Sequence, residues 1–306
     1  MSTGWVAGTV RARAMAQRRV GLGGARHLAA APSLEAALGE LVATPYGHDV
    51  RTDHTLAQAQ RAVAATMLWD LRVLAGWLPR DGGDRVRVLA GWFELSNVDD
   101  LRRSIAGQLI DPPFDLGSLG TSWNRLRSAG SPLQLRQQLT GSPWGDPGAD
   151  TAAAVGLGMR TVWAERVAAA VPPAAAWAAG AAALLVARER LVVGRRLPEG
   201  AAASVRRLLG AAVLDAASFP ELVAAVGGRA RWAVRGVDRP QALWEAETRW
   251  WARVESDAFA LLRRPRFGPA PVVGAVAAAA VDAWRVRAAL ESAARGGRLE
   301  AFDVVA

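Results

Sequence analysis

The sequence predicts an all-α protein made of three related helical bundles in tandem. Apolar residues recur at helical spacing along most of the 306 residues, and no alternating apolar–polar segment is long enough to indicate a strand. A segment with a serine helix cap and a Pro-aromatic-Gly stop also occurs twice. A period of roughly 100 residues is typical of small tandem bundles rather than a solenoid.

The repeated segment is clearest between residues 26–47 and 124–145, which align without gaps at an offset of 98 residues. Ser33 and Ser131 fall on each other in this alignment, and apolar positions follow each serine at helical spacing. Serine accepts hydrogen bonds from the free amides of a first helical turn, so each is predicted to cap a short helix.

Both short helices are predicted to end at the same signal, "TPYG" (44–47) in one copy and "SPWG" (142–145) in the other. The residue before a proline is pushed out of the helical region, and glycine tolerates the turn that follows. A third, weaker copy lies in 211–228, where Ser218 matches Ser33 and two glycines provide the stop.

Two longer helices are predicted after each short helix, and they complete each repeat. We divide the chain into helical repeats at 1–112, 113–207 and 208–306. In the first repeat the predicted long segments are Leu56–Leu78 and Val86–Ile105, joined by a turn at 79–84. In the second they are Thr151–Val171 and Ala174–Leu197, separated at Pro172-Pro173. In the third they are Leu243–Leu261, with Pro240 in a first turn, and Val272–Leu290, joined by a turn at 263–271.

A polar residue interrupts the apolar stripe near the end of the last long helix in each repeat. Aligning Arg102 with Arg287 places Asn97 on Asp282, and the middle repeat offers Arg188, Glu189 and Arg190 in the same neighbourhood. A buried polar group without a partner costs about 1–3 kcal/mol. These residues are therefore expected either to bond to a neighbouring turn or to line a polar cavity shared by the three repeats.

The chain is strongly basic, with a net charge of +9 and a pI of about 11.4, and every basic side chain except histidine is arginine. Such a balance indicates an acidic partner, a nucleic acid or an anionic membrane surface. A codon bias towards arginine explains part of the same charge without any partner. The chain has no cysteine, which excludes disulfides and thiolate chemistry.

One segment is long enough to cross a membrane, and no secretory signal pattern is expected at the N-terminus. Residues 167–187 contain no charge over 21 positions. Pro172-Pro173 interrupts this segment and alanine and glycine dominate it, which favours a buried or half-buried helix after Pro173.

No pattern in the sequence indicates catalysis, a cofactor or a metal. A phosphate-binding P-loop requires a lysine, and the chain has none. His48-Asp49 and Asp53-His54 flank a turn without the i,i+4 spacing of helical metal ligands, and His27 stands apart. The "GLGG" stretch (21–24) is predicted to join two helices and follows no strand, so it is not expected to bind phosphate.

The order of these segments resembles the axial adaptor, or C-type, component of archaeal and bacterial V/A-type rotary ATPases, which is related to the d-type component of eukaryotic vacuolar ATPases. The resemblance covers nearly the whole chain and rests on "VRARAMAQRR" (10–19), "SLEAALGELVATPYG" (33–47), "FELSNVDDLRR" (93–103), "SPLQLRQQLTGSPWG" (131–145) and "VVGAVAAAAVDAWRVRAAL" (272–290). Trp5 stands where the family usually has tyrosine, and residues 280–284 lack most of the family's acidic and asparagine residues.

The resemblance implies a funnel of three pseudo-threefold-related domains that performs no chemistry. Such an adaptor lies at the cytoplasmic face of the membrane and couples the central-stalk subunits to the proteolipid rotor ring during ATP-linked proton or sodium transport. Contact with anionic lipid is a further expectation. The candidate partner-contacting residues are Asn97, Arg102, Arg188, Arg195, Asp282 and Arg287.

An arginine-rich helical protein that binds nucleic acid is the alternative from another functional class. Against it, the arginines are dispersed over all three repeats and mixed with aspartate and glutamate, without a single basic stripe. A gel shift at about 150 mM salt would distinguish this alternative from the adaptor, because sequence-blind binding to phosphates falls steeply with salt.

Overall fold

The computed structural model describes residues 3–305, apart from the side chains of residues 301, 304 and 305. Over this part of the chain 73% of the residues are helical and none is in a strand, which confirms the predicted all-α class. In chain order the helices are α1 (Thr3–Gln17), α2 (Gly21–Ala29), α3 (Leu34–Leu41), α4 (Leu56–Gly76), α5 (Arg80–Leu89), α6 (Gly91–Ile105), α7 (Trp123–Leu126), α8 (Pro132–Thr140), α9 (Ala152–Ala170), α10 (Ala175–Ala187), α11 (Glu199–Leu209), α12 (Ala212–Asp215), α13 (Phe219–Ala225), α14 (Gly228–Val234), α15 (Leu243–Leu262), α16 (Pro269–Ala294) and α17 (Leu299–Val305).

Serine caps the short helix in all three copies of the repeated segment, as predicted. The side chain of Ser33 accepts from the backbone N–H of Ala36 at the start of α3. Ser131 and Ser218 do the same at the starts of α8 and α13. All three serines have extended backbone, the conformation that lets a cap residue turn its hydroxyl towards the free amides.

The chain forms two compact units. Unit 1 comprises the chain up to Gly83 together with the chain from Trp251 onward, and unit 2 comprises Asp84–Trp250. Helices α5 and α15 each contribute residues to both units.

Helix α16 is the centre of unit 1. It packs against α1, α2, α3, α4 and α17, and its valines and Leu290 are almost fully buried. Small residues on α16 allow neighbouring helices to approach closely. At Gly274, for example, an added Cβ would lie 2.6 Å from the carbonyl oxygen of Ala258 on α15. The last long helix of the chain thus shares a core with the first short helices.

Unit 2 contains two apolar cores. One is formed around α6, α7, α8 and α9 by residues such as Val98, Leu126 and Leu135. The other is formed around α10–α14 and the start of α15, with Val205 and Leu222 at its centre. In both, a long helix from the end of one predicted repeat packs on the short helices of the next. The boundaries 1–112, 113–207 and 208–306 remain a prediction about the sequence repeats.

Three local predictions were wrong. Of the turn expected at 79–84, only Pro79 lies outside a helix, because α5 begins at Arg80. A Cβ on Gly82 would approach Leu78 and Trp5 at 3.1 Å, so this glycine serves packing. The "GLGG" stretch forms the first turn of α2 rather than a connection. The second helix of the middle repeat ends at Ala187 and gives way to a π-helical turn, Arg188–Val192, instead of reaching Leu197.

The uncharged stretch 167–187 does not form one helix. The segment Pro172–Ala174 separates α9 from α10, and most of α10 is buried, as the sequence predicts. No helix in the described part of the chain combines the length and the apolar character needed to cross a membrane.

Candidate functional site

Three buried carboxylates occupy similar places in the three sequence repeats. Glu94 on α6, Glu189 in the π-helical turn and Asp282 on α16 are separated by 95 and 93 residues. Their residues are 1%, 9% and 3% exposed, respectively. Burying a carboxylate without donors is costly, so the groups that meet each oxygen indicate what the residue organises.

Glu94 holds the segment that leads into α7. Its oxygens accept from the backbone N–H groups of Thr121 and Ser122, at 2.5 and 2.8 Å, and from Trp144 Nε1 at 2.8 Å. The guanidinium of Arg166 lies 5.0 Å from the centre of the Trp144 ring. Burial lowers the pKa of Arg166, while the nearby charge of Glu94 opposes that shift.

Asp282 makes the corresponding contacts in unit 1. Its oxygens accept from the backbone N–H groups of Val20 and Gly21, at 3.2 and 2.7 Å, and from the Tyr46 hydroxyl at 3.0 Å. Gly21 begins α2, so the carboxylate compensates the free amides and the positive end of the helix. Burial, and then the charge of Asp282, raise the pKa of Tyr46 well above the ordinary tyrosine value.

Tyr46 and Trp144 are the aromatic residues of the two repeated turns, and the turns share their local hydrogen bonds. Thr44 Oγ1 accepts from the Tyr46 amide and Ser142 Oγ from the Trp144 amide, at 3.2 and 3.1 Å. Each hydroxyl also donates to a carbonyl of the preceding short helix. Thr44 and Ser142 therefore orient the aromatic residues that follow them, and the aromatic side chains donate to the carboxylates.

The third copy lacks the aromatic donor, because two glycines take the place of the Pro-aromatic-Gly signal. Glu189 Oε2 lies 3.2 Å from Arg195 Nη1, yet the geometry is not that of a hydrogen bond and no other described group bonds to this oxygen. The carboxylate accepts from two backbone amides and an aromatic side chain in two copies, whereas the third copy has no aromatic donor.

No protein-family model matches the chain, and no curated protein matches it.

The glycines of the two turns are required for different reasons. A Cβ on Gly47 would lie 2.0 Å from the Val42 carbonyl oxygen, whereas Gly145 has open space around it but a φ of +72°. We expect Gly145→Ala to lower the free energy of unfolding by about 1–2 kcal/mol from left-handed backbone strain. Gly47→Ala is expected to cost about 3 kcal/mol, because the backbone itself must move. Chemical denaturation of each variant checks this order.

Gly39 in α3 provides the control, since a Cβ there meets nothing within 4 Å. Gly39→Ala is expected to stabilise the chain by about 0.5–1 kcal/mol through helix propensity. Equal losses for Gly47→Ala and Gly145→Ala would contradict the difference between the two turns.

The predicted alignment of Asn97 with Asp282 is corrected by one helical turn. Glu94, three residues before Asn97, makes the contacts that match those of Asp282. Asn97 Nδ2 instead donates to the Phe114 carbonyl oxygen at 2.9 Å, and Asn97 Oδ1 accepts from the Phe114 amide at 2.7 Å. For Asn97 and Asp282, the interpretation that a buried polar residue bonds to a neighbouring turn is confirmed.

The predicted arginines lie apart from these carboxylate–aromatic contacts, and three of them form ion pairs within unit 2. Arg102 bonds Asp99 at 3.0 Å, Arg188 bonds Glu247 at 2.5 Å, and Arg195 lies beside Glu189. Arg287 is half-buried in unit 1, its Nε has no hydrogen bond among the described residues, and burial lowers its pKa. Contact with a partner stays a prediction for all six candidates.

The described residues bring no group of three metal-ligating side chains together. His48 Nδ1 lies 2.8 Å from Asp49 Oδ2, and His54 Nδ1 accepts from the Arg51 amide. The oxygens of Glu94 and Asp282 are engaged by donors, so these carboxylates position backbone amides and aromatic side chains.

A surface pocket of about 660 Å³ opens beside the Glu94 contact in unit 2. Phe114, Trp123 and Arg127 line it together with the Thr121–Ser122 backbone, and the buried Thr121 Oγ1 has no described partner. The shape of this pocket depends on Glu94, because the carboxylate fixes the amides of its wall.

Sequence reasoning missed Glu94, although a signal was present. The residue lies one position after Phe93 and one helical turn before Asn97, beside the predicted apolar stripe. Helical periodicity places Glu94 and Asn97 on the same face, so the sequence alone does not select between them.

Proposed function

We propose that the chain is a non-catalytic axial adaptor of a V/A-type rotary ATPase, coupling the central stalk to the membrane proteolipid ring. The observation that carries the proposal is the recurrence of one arrangement. A serine-capped short helix occurs in three copies, and a buried carboxylate lies on a long helix in two of them and in the π-helical turn in the third. An internal threefold repeat suits a part that surrounds a rotation axis.

The order of the cores supports a pseudo-threefold arrangement. Each core joins the last long helix of one repeat to the first short helices of the next, and α16 continues this order to α2 and α3. The motif order that resembles the C-type axial component adds independent support from the sequence.

Torque transmission sets a physical requirement for such an adaptor. Moving one charge across a membrane is worth about 2.3 kcal/mol per 100 mV, and several ions feed each ATP, so on the order of 10 kcal/mol passes through the rotor. This equals the roughly 5–15 kcal/mol stability of a whole domain. The buried carboxylates Glu94 and Asp282, which tie turns to long helices, resist deformation of the surrounding helices under that load.

Co-purification from native membranes tests the proposal. A tagged chain is expected to recover proteolipid and central-stalk subunits together. Arg188→Glu/Arg195→Glu is expected to lower stalk recovery at least tenfold, because these arginines flank Val192 and Val193, which are 48% and 50% exposed. Arg136→Glu/Arg207→Glu removes the same charge from other exposed ion pairs and serves as the control.

Recovery of neither stalk nor ring subunits would contradict the adaptor. Equal recovery with the two paired variants would remove Arg188 and Arg195 from the interface while leaving the adaptor in place. Recovery of nucleic acid that survives about 150 mM salt would favour the alternative function.

A further inference from the structure

Four arginines of unit 1 lie together without a carboxylate partner among the described residues. Arg263, Arg264 and Arg266 are exposed in the turn between α15 and α16, and Arg13 lies on α1 beside them. Within the part of the chain that the structure describes, no ion pair involves any of these four side chains. Elsewhere many arginines are neutralised locally, as Arg207 is by Glu165.

The turn is fixed against α1 by three contacts. The backbone N–H of Gly268 donates to Thr9 Oγ1 at 3.1 Å. Arg13 Nη2 donates to the carbonyl of Arg264 at 2.6 Å, and its guanidinium lies 6.0 Å from the centre of the Phe267 ring. The positive charges are therefore held at one place on the surface of unit 1.

Two exposed aliphatic side chains lie on the same face of α1 as Arg13. Val6 and Val10 are 39% and 56% exposed, and their spacing from Arg13 places all three on one face of α1. The buried face of the same helix carries Gly8, Ala12 and Met15. The outer face thus combines apolar side chains with cations, and we name it the α1 basic surface: Val6, Val10, Arg13, Arg263, Arg264 and Arg266.

We propose that the α1 basic surface binds the phosphate headgroups of an anionic lipid bilayer. Arginines near such a surface gain from its negative potential, and aliphatic side chains reach the boundary between headgroups and acyl chains. A single-stranded nucleic acid is favoured less, because its sites use exposed aromatic rings for stacking, and Phe267 lies half-buried beside Arg13. The proposal is independent of the rotary function.

The expected effect follows from the number of charges removed. Each arginine near an anionic surface contributes about fivefold in binding, so the loss of three is expected to weaken it about 100-fold. The attraction acts over about 10 Å at 0.1 M salt and about 3 Å at 1 M, so binding must fall with ionic strength.

Vesicle flotation with the full chain tests the proposal. The probes are phosphatidylcholine vesicles with and without about a third phosphatidylglycerol. Arg263→Gln/Arg264→Gln/Arg266→Gln removes three charges that make no described ion pair and keeps Arg13, which holds the turn. Arg136→Gln/Arg207→Gln/Arg253→Gln removes equal charge from ion-paired, exposed positions. Circular dichroism confirms that both variants remain folded.

The expected result is binding to the anionic vesicles alone, lost about 100-fold in the first variant and changed less than threefold in the second. Val6→Ser/Val10→Ser is expected to weaken binding a further few-fold without altering its salt dependence. Absence of binding to anionic vesicles, or equal loss in the two arginine variants, would overturn the proposal. Binding of a single-stranded oligonucleotide in place of vesicles would overturn it in favour of nucleic acid.

Discussion

Replacing Glu94 by alanine is expected to lower the free energy of unfolding of unit 2 by about 3–5 kcal/mol. The substitution leaves three donors without an acceptor: the amides of Thr121 and Ser122 and the Trp144 indole N–H. Each unsatisfied buried donor costs about 1–3 kcal/mol, and water entering from the adjacent pocket recovers part of that loss. Urea denaturation followed by circular dichroism measures the change.

Hydrogen exchange gives the local readout of the same variant. The amides of Thr121 and Ser122 are expected to lose protection in Glu94→Ala, whereas amides in α4 of unit 1 keep theirs. Glu94→Gln retains one acceptor oxygen and is expected to fall between alanine and the parent. Glu199, whose side chain is 74% exposed, supplies the control, and Glu199→Ala should change stability by less than about 0.5 kcal/mol. A loss below about 1 kcal/mol for Glu94→Ala would show that the contact is dispensable.

Replacing Asp282 by alanine is expected to have a similar effect on unit 1, about 3–5 kcal/mol. The amides of Val20 and Gly21 and the Tyr46 hydroxyl lose their common acceptor. Tyr46→Phe removes a single donor to the charged group and is expected to cost about 1.5–3 kcal/mol. The double variant should cost less than the sum, because both changes break the same bond.

Tyr46 also reports on this contact directly, because it is the only tyrosine in the chain. Burial and Asp282 raise its pKa, so the unfolded chain releases the phenolic proton first as the pH rises. Stability is therefore expected to fall above the unfolded pKa of about 10. Asp282→Asn should lower the pKa seen by absorbance at 295 nm while leaving the part due to burial. An unchanged Tyr46 pKa in this variant would show that Asp282 does not contribute to the shift.

Local chemistry made part of this fold predictable. Ser33, Ser131 and Ser218 act on amides three residues away, so a short window of sequence contains both donor and acceptor. The same holds for the end of the short helices at Pro45 and Pro143. Gly82 shows the limit: glycine reads as a turn signal, but packing against Leu78 and Trp5 requires the small residue within a helix.

The carboxylate contacts could not be predicted from the sequence, because they join residues that are far apart along the chain. Tyr46 and Asp282 are 236 residues apart, and Trp144 and Glu94 are 50 apart. Helical periodicity identified Asp282 on α16, but on α6 it indicated Asn97, one turn after Glu94. The charge of the α1 basic surface was equally hidden, because the sequence does not show which arginines pair with a carboxylate. Among the described residues, Arg263 and Arg266 form no ion pair, unlike Arg207 with Glu165.

The position of α16 at the centre of unit 1 has a consequence for synthesis. The first 83 residues cannot complete their core until α16 leaves the ribosome about 200 residues later, a delay of roughly 10–40 s at usual elongation rates. All of unit 2 is made during that interval and can fold within itself. Until then the faces of α2, α3 and α4 that pack against α16 stay exposed, so we expect the nascent N-terminal segment to be prone to aggregation during this interval.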